Sequence, residues 1–191
     1  MSGKSPVIDR RVQKTRQALH QALIALILKK GYDAVTIKDI IEAANVGRST
    51  FYAHYSDKDQ LLQGGLSDLR KLLSAHQKTA ADASGLKRIG FSSALFEHAA
   101  NYRSVYRAMI GKRAGSVVLN RMRALLTELV NAELALRRPS GPAKELPRSA
   151  VVDYVVGALL SVLTWWVDEK VSIPASEADA IFRRLALVSV D

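Results

Sequence analysis

The stretch Gly31-Tyr-Asp-Ala-Val-Thr-Ile-Lys-Asp-Ile-Ile-Glu-Ala-Ala-Asn-Val-Gly-Arg-Ser-Thr-Phe-Tyr-Ala-His-Tyr-Ser-Asp-Lys-Asp-Gln-Leu-Leu62 holds two helix starts and a tight turn in one short span. Thr36 with Asp39 three residues on is a capping-box pattern, in which hydroxyl and carboxylate each satisfy a backbone N–H that the first turn leaves orphaned. Ile37, Ile40, Ile41 and Ala44 form the buried stripe of the helix it opens. Asn45-Val46-Gly47 reads as a turn, and Arg48 to Tyr55 is too short to be a stable helix without tertiary support. Phe51 and Tyr55, four apart, would face the core and leave Arg48, Ser49, Thr50, Tyr52 and His54 at the edges and outside. Ser56 and Asp59 predict a second capping box opening a long helix with Leu61, Leu62, Leu66, Leu69, Leu72 and Leu73 inward.

Upstream, Val12, Leu19, Leu23, Leu26 and Ile27 recur at helical spacing between Arg11 and Lys30. Lys29 and Lys30 suit the negative end of a helix dipole, and Gly31 suits a left-handed C-terminal cap. Three helices, the second and third joined by a four-residue turn, make a helix-turn-helix unit. Downstream there is no alternating strand pattern and no hairpin dipeptide, so the chain is expected to be all-α. Helices are expected from about Leu86 to Ala99, Tyr102 to Ile110, Ser116 to Arg137, Pro147 to Lys170 and Ala175 to Val190, with Pro139-Ser-Gly-Pro142 as a loop. The expected division is a helix-turn-helix unit over residues 1–60 and a larger helical unit over 61–191.

The chain has 191 residues, 48% of them apolar, and 28 Lys and Arg against 18 Asp and Glu, for a net charge of +10. A basic, core-forming chain of this size points first to a polyanionic partner. The charge is uneven: residues 1–60 carry +4, residues 61–138 carry +8, and residues 139–191 carry −2. The apolar C-terminal part therefore suits burial against protein rather than nucleic acid. Absence of cysteine excludes disulfides, thiol nucleophiles and thiolate metal sites, and the four scattered histidines show no metal-ligand spacing, so neither cofactor nor metal is expected. The polar N-terminus lacks a signal-peptide pattern, and the charge-free run Tyr154 to Val167 is shorter than the ~20 residues a membrane span needs, so a cytoplasmic location and no membrane partner are expected.

The quoted stretch, with the helix before it, closely resembles the DNA-binding signature of TetR/AcrR-family transcriptional regulators. Asn45 stands where that family usually has Gly, and Tyr55 where it usually has Phe; Asn tolerates a left-handed backbone and Tyr keeps an aromatic anchor. The resemblance implies a homodimeric regulator, usually a repressor, that changes its hold on operator DNA when a small molecule binds the C-terminal region. Carried over position by position, it implies that Tyr52 and His54 contact the DNA backbone, that Lys58 binds phosphate, and that Ser49 and Thr50 face base edges. On physical grounds, Arg48 at the tip of a short helix has the two-pronged donor geometry for guanine, and Thr36 and Gly47 lie near helix N-termini that suit phosphate. Arg10, Arg11, Lys14 and Arg16 either reach flanking phosphates or form a solvated face.

The segment Leu95 to Ile110, with Ala158 to Trp166 and Ser176-Glu177, is similar to the C-terminal region of dihydroxyacetone-kinase-system regulators within that family. The helix expected from Pro147 is apolar nearly all round, and Val151, Val155, Ala158, Leu159 and Val162 are the expected face toward a second copy. Phe91, Phe96, Tyr102, Tyr106, Met109, Met122, Tyr154, Trp165 and Trp166 are candidate effector-pocket residues, with ordinary core packing as the alternative for each. The +8 of the middle helices either favours an anionic effector or lies on a solvent face. Gly64-Gly65 inside the fourth helix is either a hinge or a close-packing point.

Gly90-Phe-Ser-Ser-Ala94 nearly matches a nucleophile elbow but lacks the final glycine and a preceding strand, so no enzyme is expected. A basic nucleic-acid-binding protein of low sequence specificity is the alternative to a regulator, because phosphate contacts alone give affinity without discrimination.

Overall fold

The computed structural model describes residues 6–83, 89–110, 116–135, 146–168 and 173–187. Among these residues the chain is helical without a strand: α1 (Pro6–Lys30), α2 (Ile37–Ala44), α3 (Arg48–His54), α4 (Lys58–Ala83), α5 (Ser92–Asn101), α6 (Arg103–Ile110), α7 (Ser116–Ala135), α8 (Arg148–Asp168) and α9 (Ala175–Leu187). The expected loop at 139–142 and the helix ends at Leu86, Arg137, Lys170 and Val190 lie outside the described residues.

The helix boundaries follow local chemistry. α1 begins six residues before Val12, the first position of the apolar period, with Pro6 at its first position, where a missing N–H costs nothing. It ends at Gly31, whose φ of +80° is the left-handed cap. Thr36 caps α2: the Asp39 N–H donates to its hydroxyl at 3.2 Å, and the Thr36 N–H donates to the Asp39 carboxylate at 2.7 Å. Asn45 closes α2 at φ 51° and ψ 49°, the left-handed conformation that Asn adopts more readily than other side chains.

The start of α4 differs by one residue from the expected box. Asp57, not Ser56, caps it, accepting from the Gln60 N–H at 2.7 Å, while the Gln60 side chain accepts from the Ser56 N–H at 2.6 Å. Ser56 and Asp57 both satisfy a capping pattern, and the choice falls to the residue whose partner three positions on is a long amide. The helix expected from Leu86 likewise begins, in the described region, only at Ser92, after a turn at Ile89 to Phe91 closed by Ser92 N–H donating to the Ile89 carbonyl at 3.1 Å.

α1, α2 and α3 form a small head whose core is Leu19, Leu23, Ile40, Phe51 and Tyr55, all almost fully buried. α4 leaves the head and runs unbroken into the body, where it packs on α7 and α5. In the body α8 lies between α7 and α9, and α9 also packs on α5. α8 is long and apolar enough to cross a membrane by length and composition alone, yet one face of it, including Val152, Val155, Leu159 and Trp166, is buried in this core.

Gly64 and Gly65 lie in continuous helix, and they differ. A Cβ on Gly64 would stand 3.3 Å from His20 Nε2 and 3.3 Å from Tyr55 Cε1, tighter than ordinary contact, whereas one on Gly65 would meet His20 no nearer than 3.8 Å. Close approach of α4 to α1 and Tyr55 therefore explains Gly64. Gly65→Ala should raise stability by about 0.5–1 kcal/mol through helix propensity. Gly64→Ala should lower it, because Tyr55 is buried and the His20 ring is held to the Leu61 carbonyl at 2.9 Å, so neither neighbour can give way. Urea melts of the two variants check this; a rise for both would refute the close-packing account.

Candidate nucleic-acid interface

α3 is only seven residues long, and its anchorage decides what it presents. Phe51 is 0% and Tyr55 3% exposed, and full burial of one such ring contributes about 1.5–3 kcal/mol. The Tyr55 hydroxyl accepts from Arg16 Nε at 3.0 Å and lies 3.4 Å from His20 Nε2, tying the end of α3 to α1. The opposite face is outward. Arg48 and Ser49 are exposed, Thr50 and His54 half-buried, and Tyr52 is 46% exposed. The Arg48 guanidinium lies 5.6 Å from the Tyr52 ring centre, a cation–π contact that narrows the arginine's rotamers before any partner arrives. Gly47, at the N-cap, makes no side-chain cap, so none covers the first N–H groups of α3.

Two expected contact residues are already engaged. The Thr36 hydroxyl donates to Asp39 at 2.6 Å and, with its N–H, serves the α2 cap. Lys30 donates to the same carboxylate at 2.7 Å; these bonds hold the Asp39 carboxyl well below the usual range. Lys58 Nζ donates to the carbonyls of Tyr32 and Val35, both at 3.0 Å, and of Asp33 at 3.4 Å, and lies 4.5 Å from the Tyr32 ring centre. The Tyr32 hydroxyl in turn donates to Asp59. Burial, reinforced by that carboxylate, pushes the Tyr32 pKa up. Lys58 is thus a clasp between the first turn of α4 and the α1–α2 loop.

The candidate effector residues divide three ways. Tyr102, Tyr106 and Met109 line a cavity of about 160 Å³ where α1 and α4 meet the α5–α6 segment. Phe91, Phe96, Met122 and Trp166 are core residues outside that cavity; Phe96 packs edge-on against Trp166 at 5.7 Å. Tyr154 and Trp165 stand on the outer face of α8, 46% and 40% exposed. The face expected toward a second copy divides in the same way. Val155, Leu159 and Val162 are buried inside the protomer, while Val151 and Ala158 share the outer face with Tyr154 and Trp165. Periodicity cannot choose a face on a helix that is apolar all round.

Several residues had no signal in the sequence. His20 interrupts the apolar stripe of α1, and its partners lie 35 and 41 positions away. Arg121 on α7 donates to Gln63 at 2.8 Å and lies 3.9 Å from Asp59, joining the body to the first turns of α4. Arg103 donates to the Trp166 carbonyl and Arg107 to the Val167 carbonyl at 2.8 Å, closing the end of α8. Part of the excess charge in the middle helices thus has an internal role. Among the described residues no group of His, Asp and Glu is arranged to hold a metal.

Residues 19–64 match the family model described as bacterial regulatory proteins, tetR family, and residues 90–187 match the transcriptional regulator C-terminal region. The chain is 46% identical over 61 residues to the HTH-type transcriptional regulator YxbF of Bacillus subtilis (strain 168), covering 31% of this chain and 16% of that protein. It is 36% identical over 73 residues to the HTH-type transcriptional repressor DhaR of Mycobacterium sp. (strain GP1), covering 36% of this chain and 35% of that one. The alignments therefore span less than half the length of these curated relatives. A TetR-family transcriptional regulator from Syntrophomonas wolfei str. Goettingen has the same fold, with a TM-score of 0.76 and 22% identity over 93% of this chain and 95% of the other.

Two outcomes follow from this geometry. Lys58→Met should cost about 1.5–3 kcal/mol, the worth of hydrogen bonds from a charged donor, and lower the melting temperature by several degrees. An unchanged melt would show that the clasp holds nothing. Burial lowers the pKa of both His20 and His98, so unfolding raises their proton affinity. The stability that their neutral forms give is complete above the ordinary value of about 6.5 and is lost as pH falls through the lower folded values. The melting temperature should therefore fall between about pH 7.5 and pH 5, and fall less in His20→Gln; equal slopes would remove His20 from the account.

Proposed function

The chain belongs to the TetR family of bacterial regulatory proteins, whose members are transcriptional regulators rather than enzymes, and from that premise we propose that it is a ligand-responsive repressor binding an inverted-repeat operator as a homodimer in the cytoplasm. The observation that carries this reading is the outward face of α3. Arg48 stands at the helix tip, steadied by Tyr52 and backed by a buried aromatic pair. A helix so presented enters a major groove about 12 Å wide tip first, and an arginine there donates to both acceptors of a guanine. Ser49 and Thr50 flank it toward base edges, and Tyr52, His54 and the N–H groups at Gly47 serve the backbone phosphates. Thr36 and Lys58 keep α2 and the α1–α2 loop in position around that face; a phosphate contact from either must come in addition to the bonds already described.

The outer face of α8, with Val151, Tyr154, Ala158 and Trp165, is the surface we assign to the second copy. Its partly apolar exposure suits an isologous contact, in which one patch meets its own copy across a twofold axis. Two α3 helices related in that way sit about 34 Å apart, or a multiple of it, on one side of a duplex. The repressor sense draws support from the likeness to DhaR, a transcriptional repressor.

A basic protein of low specificity is the competing reading, and one variant separates the two. Arg48→Ala should weaken binding to the native upstream region by about 1–3 kcal/mol per half-site while leaving random duplex nearly unaffected at the same salt. Fluorescence anisotropy on both duplexes measures it. Equal loss on both would contradict a base-reading role and favour binding through phosphate alone.

A further inference from the structure

The seam between head and body holds the half-open cavity of about 160 Å³, and among the described residues no Lys, Arg, Asp or Glu lines it. Its wall is mostly aliphatic, with Leu23 and Ile27 from α1 and Leu61 and Leu66 from α4. The polar side chains on the wall are His20, His98, Tyr102 and Tyr106. The Tyr106 hydroxyl and His98 Nδ1 engage each other at 3.0 Å. His20 Nε2 lies 2.9 Å from the Leu61 carbonyl, which can only accept, so Nε2 carries the proton and the second ring nitrogen is left with a lone pair. Burial favours the neutral form of both imidazoles. The cavity is therefore uncharged at neutral pH.

We propose that this cavity is a binding site for a compact, uncharged molecule with an apolar body and one hydrogen-bonding group, and that filling it alters the hold of the head on DNA. The second half rests on the regulator reading above; the first does not. Size sets the class: an apolar cavity of about 150 Å³ accommodates a single benzene ring. Polarity sets the rest. An ion entering this wall would lose its hydration with no countercharge to replace it. Arg16 and Asp68 line the open groove outside, which shares His20, Ile24, Tyr102 and Val105 with the cavity, but Arg16 Nε already donates to Tyr55. A hydroxyl on the ligand has hydrogen-bonding partners to choose from on the wall, where His20, His98, Tyr102 and Tyr106 stand.

Location makes the site a control point. α1 and α4 carry the head, α6 belongs to the body, and α1 packs directly on α6. A molecule that fits only one spacing of these helices shifts the population toward that spacing.

Fluorine NMR of 4-fluorophenol with the full chain tests the proposal, with phenol as competitor and 4-fluorobenzoate as the charged counterpart of similar size. Saturable broadening of 4-fluorophenol, reversed by phenol and absent for 4-fluorobenzoate, is expected. Val105→Phe at the half-buried mouth should weaken binding at least tenfold while the melt stays cooperative; Ile24→Phe serves the same purpose if that variant does not fold. No saturable change, equal binding of the benzoate, or full binding by a folded plugged variant would overturn the site. With the site saturated, affinity for the upstream DNA should fall several-fold, and unchanged affinity would overturn its control of the head. Failure of the ligand-free protein to prefer that DNA over random duplex would instead count against the regulator reading, whatever the NMR shows.

Discussion

Everything the head presents depends on burying two aromatic rings from a helix too short to stand alone. Phe51 and Tyr55 hold α3 by its inner face, and the space for Tyr55 exists because residue 64 has no side chain. The hydroxyl of Tyr55 then reaches Arg16 and His20, so the anchor of the reading helix is also a contact with α1. Removal of either ring would leave Arg48 on a segment with no fixed direction. A guanidinium reads a base edge only when its backbone is held, so the base-reading role proposed for Arg48 depends on this buried pair as much as on the exposed arginine.

From that anchor, contacts run outward into the body. The Lys58 clasp fixes the α1–α2 loop on α4, and the Tyr32 hydroxyl on Asp59 doubles it. Arg121 meets Asp59 and Gln63 from α7, while α6 packs on α1 and its arginines close the C-terminal carbonyls of α8. The head thus touches the body through two routes, α4–α7 and α1–α6, with the seam cavity between them. Both routes use helices that also carry the socket of α3, with Arg16 and His20 on α1 and Gly64 on α4. The outer face of α8, assigned to a second copy, lies at the far end of the α6 route.

Much of the head was legible because its determinants are local. A capping box, a left-handed Asn, a terminal Gly and two aromatics four apart each act within a few residues, and their order along the chain is the motif. Legibility failed where two local solutions compete, as at Ser56 and Asp57, or where one helix has more than one apolar face. α8 illustrates the second case: Val155, Leu159 and Val162 are as hydrophobic as a dimer face needs, and only the packing of α7 and α9 shows that they are already covered. The effector candidates failed to sort for the same reason. Phe96 and Tyr106 look alike in sequence, and only the meeting of α1, α4 and α6 puts a cavity beside one and packed rings around the other. His20 was silent because its partners are distant in sequence.

The central claim is that α3, held by its aromatic pair, reads base sequence as one half of a symmetric pair. Repeated selection of bound duplexes from a randomised library, at fixed salt and without added ligand, tests it most directly. An enriched inverted repeat, with half-sites whose centres lie about one helical turn or a multiple apart and a guanine preferred at corresponding positions of each, is the expected result. A bound pool that stays as random as the input, with affinity following salt alone, would contradict it.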